Sequence, residues 1–142
     1  MIEPRSCASR RLSRGSLATF ARCQPRPAPG TKDDVIFIVI RIDIRPDKRA
    51  DFLEGIRRYS AQVREEPGNL HFTAYESVEG DDEYVVLANY KDQAAGEAHV
   101  TSEHARWFFG WLPSVVARVP RIVYQELPPG VDWAEMGEVR LD

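Results

Sequence analysis

From Val35 to Ile44 the side chains alternate between two rows. Ile36, Ile38, Ile40, Ile42 and Ile44 form one wholly aliphatic row, and the other runs from Val35, Phe37 and Val39 to Arg41 and Asp43. A period of two predicts a strand with one buried face and one that grades into water. Pro46 stops the strand and suits the first turn of a helix. Beyond it Phe52, Ile56, Tyr59 and Val63 recur at helical spacing, which predicts a helix with one apolar stripe. Asp47 and Asp51 lie early and Arg57, Arg58 and Arg64 late, an arrangement that complements the helix dipole. Pro67-Gly68 ends this helix.

Asn69–Val78 reads as a second strand, with Leu70, Phe72 and Ala74 alternating against His71, Thr73 and Tyr75. The stretch Glu79-Gly80-Asp81-Asp82 is a turn, and Glu83–Tyr90 returns as a third strand, completing a hairpin. Asp92 is placed to cap a helix through Ala94, Ala95, Ala98 and His99. Thr101-Ser102 reads as a break and second cap, after which the helix resumes at Glu103 and carries Trp107, Phe108, Trp111 and Leu112 before Pro113. Arg121–Leu127 is a fourth strand, and Pro128-Pro129-Gly130 closes the domain.

The order is βαββαβ, which predicts an α+β, ferredoxin-like sandwich. Helices then cover one face of the sheet only. The other face, with Phe37 and Val39, needs a cover, and a second copy of the chain is the simplest one. A homodimer is therefore expected.

Charge divides the 142 residues into two unlike pieces. Residues 1–30 hold six arginines against Glu3, a net of +5, whereas the remainder holds 13 basic and 21 acidic side chains, a net of −8. The first piece has four prolines, no apolar period and no apolar stretch of secretory-signal length. Residues 1–33 are expected to be an extension, either disordered or targeting-like, with 34–128 the folded domain and 129–142 a C-terminal tail carrying Trp133 and Met136. Both cysteines, Cys7 and Cys23, fall in the extension, so no disulfide ties the body and a reducing, cytoplasmic setting is the default. A mitochondrial location follows only if the extension is a transit peptide. An acidic body lacks the basic face that nucleic acid requires. The longest apolar run, about Val35–Ile40, is far short of a membrane span.

Two stretches resemble the antibiotic biosynthesis monooxygenase family, and within it the quinol-monooxygenase-like proteins. They are Arg64-Glu65-Glu66-Pro67-Gly68-Asn69-Leu70, an E-P-G turn into strand two, and Tyr90-Lys91-Asp92 leading to Ala98-His99 and, five residues on, His104. The likeness covers about residues 35–128. It implies a dimeric α+β barrel with an apolar pocket between sheet and helices. It also implies oxygenation of a quinol-like or polycyclic phenolic aromatic with dioxygen as co-substrate and no cofactor, since the deprotonated substrate itself reduces dioxygen. Many members carry a Glu where this chain has Ala88, so an acid partner for a pocket histidine is not expected at that site. Ile40 and Phe109 stand about where the haem-degrading branch has Asn and a haem-binding His, which disfavours haem.

Within this frame His99 is the expected general base, because an imidazole titrates near neutrality, and His104 is a second catalytic candidate. Tyr75 and Tyr90 could donate a hydrogen bond to the substrate. Trp107, Phe108 and Trp111 could enclose a flat ring, although aromatics at this spacing also build cores. The histidines are five apart, about 140° on an unbroken helix, so no metal site is expected. Two rival readings are a non-enzymatic protein binding a small aromatic or serving in stress response, favoured by Ala88, and an isomerase of a small polar metabolite.

Overall fold

A computed structural model describes residues 33–142; the expected N-terminal extension, apart from Asp33, and its two cysteines lie outside the described residues. The elements follow as β1 (Val35–Asp43), α1 (Arg49–Arg64), β2 (Asn69–Glu76), β3 (Glu83–Tyr90), α2 (Gln93–Thr101), α3 (Glu103–Trp111) and β4 (Arg121–Leu127). The strands form one antiparallel sheet in the order β2-β3-β1-β4. The α+β, ferredoxin-like order expected from the periodicities is the order observed.

The long strand β1 sits inside the sheet, pairing with β3 on one side and β4 on the other, and its aliphatic row faces the helices. Ile36 and Ile42 are buried there, as are Tyr84, Val86, Ala88 and Tyr90 on alternate positions of β3. The stripe Phe52, Ile56, Tyr59 and Val63 is buried against this face, the tertiary packing that fixes α1 in place. The turn after α1 is tight: a Cβ on Gly68 would lie 2.2 Å from the Cβ of Ala95, so only glycine lets α2 approach the start of β2.

Strand β2 departs from simple alternation. Asn69 pairs with Tyr90 but His71 pairs with Asn89, so the register shifts between them. The extra residue of such a bulge turns outward. Leu70 is accordingly exposed rather than joining Phe72 in the core. The strand also stops at Glu76, two residues before the expected Val78.

The far face of the sheet carries half-buried Phe37, Val39 and Leu87 and exposed Val123. From the β4 edge the tail returns far enough to set Trp133 against His71 of β2, ring centres 6.3 Å apart. Strand β4 is exposed along most of its length, because the helices do not extend over it. Among the described residues no helix is long and apolar enough to cross a membrane.

Candidate functional site

Between the sheet and the helices lies a cavity of about 410 Å³. Ile38, Ile40 and Ile42 form its floor, Phe108, Phe109 and Leu112 its helix wall, and Val116, Val119 and Ile122 its rim. The polar-tipped residues among those lining it are Tyr59, Tyr90 and His99; none of the described lining residues carries a permanent charge. The volume is in the range that holds a small multi-ring ligand.

His99 comes from α2, whose start is capped by Asp92 accepting the Ala95 N–H at 2.7 Å. His99 is 7% exposed. Its Nδ1 lies 2.9 and 3.1 Å from the two carboxylate oxygens of Glu66, and its Nε2 lies 3.0 Å from the Tyr59 hydroxyl. A carboxylate only accepts, so Nδ1 carries the hydrogen and Nε2 accepts the Tyr59 O–H. The result is a Tyr59–His99–Glu66 chain with its tyrosine end at the cavity, ordered as nucleophile-type triads are. Burial lowers the His99 pKa below 6.5 and the His104 charge adds to this, while Glu66 opposes both. Burial, helped by Glu66, pushes the Tyr59 hydroxyl well up, so it stays protonated.

Ser102 makes the junction between α2 and α3. Its side chain accepts the Ala105 N–H at 3.2 Å, capping α3, and donates to the His99 carbonyl at 2.7 Å. Because the helix breaks here, His104 swings back and its Nε2 lies 2.5 Å from Glu66. The two histidines, which an unbroken helix would separate, therefore share one carboxylate. An acid partner for His99 is therefore present, and it comes from the turn after α1 rather than from β3, where Ala88 lines the cavity. The three groups lie within 4.8 Å of one another, near enough for a divalent ion by type; each imidazole is hydrogen-bonded to Glu66.

The remaining candidates divide. Phe108 is at the cavity, stacked on Tyr59 at 4.0 Å with ring planes 3° apart. Tyr90 also lines it, its ring 4.9 Å from that of His99. Its buried hydroxyl makes no hydrogen bond of full geometry, and burial, reinforced by Glu66 and Tyr59 and opposed by Asn69, raises its pKa. Trp107 and Trp111 do not line the cavity. They stack on each other at 5.5 Å along the α1–α3 seam, with Arg58 4.5 Å over Trp107. Four residues apart, they share a helix face that neighbours the one holding Phe108 and Leu112. Tyr75 is also away from the cavity, for it lies on the open face of β2 opposite Val85 and is 46% exposed.

Two site residues escaped the sequence reading. Tyr59 looked like one more member of the α1 stripe, and its only distinguishing sign was a polar tip in an apolar row. Glu66 was visible as part of a turn motif, but its convergence on two histidines more than thirty residues away has no local signature.

Comparison with known proteins agrees with this architecture. The sequence profile of the family described as antibiotic biosynthesis monooxygenase matches residues 35–111. YcnE of Bacillus subtilis, a candidate monooxygenase, is 30% identical over 74 residues, 52% of this chain and 78% of that protein. A Klebsiella pneumoniae isomerase of (4S)-4-hydroxy-5-phosphonooxypentane-2,3-dione is 32% identical over 66 residues, 46% of this chain and 67% of its own. The solved structure of Rv0793 from Mycobacterium tuberculosis superposes with a TM-score of 0.62 at 24% identity, covering 71% of this chain and 99% of that one. The profile match spans more than half of the 142 residues, and the chain belongs to the antibiotic biosynthesis monooxygenase family.

Proposed function

We propose that the protein is a cofactor-independent monooxygenase that oxidises a phenolic, quinol-like or polycyclic aromatic with dioxygen. The observation that carries this reading is the wall of the cavity: it is apolar throughout except where Tyr59, Tyr90 and His99 meet it, with Glu66 behind His99. Such a wall takes up a flat ring and offers one base. For an anthrone-type substrate the reaction balances without another reductant. A ring CH2 and O2 become C=O and H2O, the four electrons coming from the two C–H bonds. The protein's part is to remove the first proton, orient the ring with Phe108 and Tyr90, and exclude water. His99, which itself lines the cavity, is the base, with the Tyr59 hydroxyl at its Nε2, and His104 holds Glu66 from the other side.

The isomerase reading fits this cavity less well. A phosphorylated substrate calls for Arg or Lys, and none is among the described lining residues. A homodimer through the open sheet face and a cytoplasmic location complete the proposal. They are supported by the apolar Phe37, Val39 and Leu87 on that face and by the absence of cysteine from residues 31–142.

The test is oxygen uptake by the purified chain with an anthrone and with a reduced naphthoquinone. Catalysed uptake above the protein-free rate, with one oxygen atom in the product, is expected. No uptake with either compound, together with saturable binding of the ring, would instead establish the non-enzymatic binding protein.

A further inference from the structure

The histidines of α2 and α3 are five residues apart, a spacing that sets them on different sides of an unbroken helix. The break at Ser102 removes that obstacle, and the turn after α1 adds a carboxylate. Glu66 Oε1 lies 2.9 Å from His99 Nδ1 and 2.5 Å from His104 Nε2, and one donor atom from each of the three residues falls within 4.8 Å of the others. Donors about 2.0–2.2 Å from a tetrahedral ion stand about 3.3–3.5 Å from one another, so the contacts to Glu66 open to that spacing with shifts of about 1 Å or less. Two imidazoles and one carboxylate suit a divalent transition ion, whereas magnesium and calcium take oxygen donors.

The groups around the trio support it as a ligand set. His99 is buried, and its other ring nitrogen meets the Tyr59 hydroxyl at 3.0 Å, the kind of outer partner that orients a metal-bound imidazole. Ser102 fixes the backbone at the break, donating to the His99 carbonyl and capping α3. Gln62 Oε1 is buried with no hydrogen-bond partner among the described residues, and Gln62 lines the same surface concavity as His104 and Glu103. It is an acceptor available to a water on the ion. Arg58, the cation of that concavity, is drawn over Trp107. Glu66 and His99 line a further concavity with Ser102 and the oppositely charged Lys91 and Asp92, so an ion enters from the surface and not through the apolar cavity.

We propose that Glu66, His99 and His104 bind one Zn2+ ion, with water as the fourth ligand, and that the bound ion stops His99 acting as a base. The second half rests on His99 being the base of the proposed oxygenase. The ion takes Nδ1, so the one hydrogen of the imidazole sits on Nε2 and is donated to the Tyr59 oxygen. No lone pair is then left on the ring to receive a substrate proton. Glu66 and His104 are not among the residues lining the cavity, so an aromatic bound there does not reach the ion. Zn2+ is therefore a brake on the reaction and not its cofactor, and the metal-free chain is the active form.

The test uses the full, untagged chain carrying Cys7→Ser and Cys23→Ser, so that thiols supply no ligand, stripped with chelator and then freed of it. Co2+ is added as a visible probe and Zn2+ competes it off. One ion per chain, with the ligand-field absorption of a tetrahedral site, is expected. A group that orients a metal ligand is worth about 10–100-fold in affinity and a ligand at least as much, so His104→Gln and Glu66→Gln should each weaken Zn2+ binding about 100-fold or more and Tyr59→Phe about 10-fold or more. No bound ion, or equal affinity in H104Q, overturns the site. Should the variants fail to fold, the imidazole Cε1–H NMR signals of the parent chain decide: Zn2+ should move those of His99 and His104 and leave that of His71 in place, and movement of His71 alone overturns the site. For the brake, oxygen uptake on an anthrone should fall in step with Zn2+ occupancy; a fully loaded chain turning over at the metal-free rate overturns it. Binding with no uptake, loaded or metal-free, keeps the ion site and removes the oxygenase reading together with the brake.

Discussion

Helix α3 carries aromatic residues on two adjoining faces with different roles. On one, Phe108 lies flat on Tyr59 and, with Leu112, closes the cavity beside His99. On the other, Trp107 and Trp111 stack along α1, where Gly55 clears the space: a Cβ there would lie 2.2 Å from the Trp111 ring. Both faces are aromatic and both are partly or fully buried, yet one walls the apolar cavity and the other a smaller concavity edged by the charged Asp51, Glu54 and Arg58. Aromatic content alone therefore does not mark a binding wall. What marks it is a polar tip aimed at an apolar space with a titratable partner behind it, as at Tyr59.

That contrast can be broken by substitution. The largest effect is expected for His99→Ala, which removes the proposed base and should lower the rate of oxygen uptake about 10²–10⁴-fold. Trp111→Phe on the seam should stay within a few-fold of the native rate; equal losses in an oxygen-electrode assay would dissolve the distinction. Next is Phe108→Ala, which strips the stacking partner of Tyr59 and should cost about 3–5 kcal/mol in denaturant melts. Gly55→Ala forces the seam apart and should cost less, about 1–3 kcal/mol, while leaving ring binding in the cavity intact. If G55A instead abolishes binding with little loss of stability, the seam and the cavity are one site.

The smallest expected effect concerns pH. Burial lowers the folded-state pKa of His99 below its unfolded value of 6.5, so below about that pH the unfolded chain binds more protons than the folded one. Stability from this residue is present in full above pH 6.5 and is lost as pH falls through it toward the folded value. Melts between pH 5 and 7.5 should show this slope, and His99→Gln should flatten it.

Much of the architecture was legible from local pattern. Alternation through Ile36–Ile44 and the stripe Phe52–Val63 fixed strand and helix because each periodicity has one geometric solution. Asp92 and Ser102 were readable as caps for the same reason, since a cap is a short-range hydrogen bond. The misreadings share a different cause. Leu70 left its row because a bulge depends on the partner strand. Trp111 went to the seam because Gly55, 56 residues earlier, makes room for it, and Trp107 stacks on Trp111. Tyr59 and Glu66 joined His99 through contacts spanning 40 and 33 residues. Local spacing holds no record of any of these meetings.

The interruption at Ser102 has a consequence for how this chain can vary. It sets the angular phase of α3 relative to α2, and with it the meeting of His99 and His104 on one carboxylate. Substitution at the junction leaves that phase intact wherever the backbone bends in the same way. A one-residue insertion or deletion between the histidines does not, for it rotates everything downstream by about 100°, carrying His104 off Glu66 and Phe108 off Tyr59 together. The spacing of five is thus a length constraint rather than an identity constraint. Length polymorphism should be tolerated at the Glu79–Asp82 turn and in the tail long before it is tolerated there.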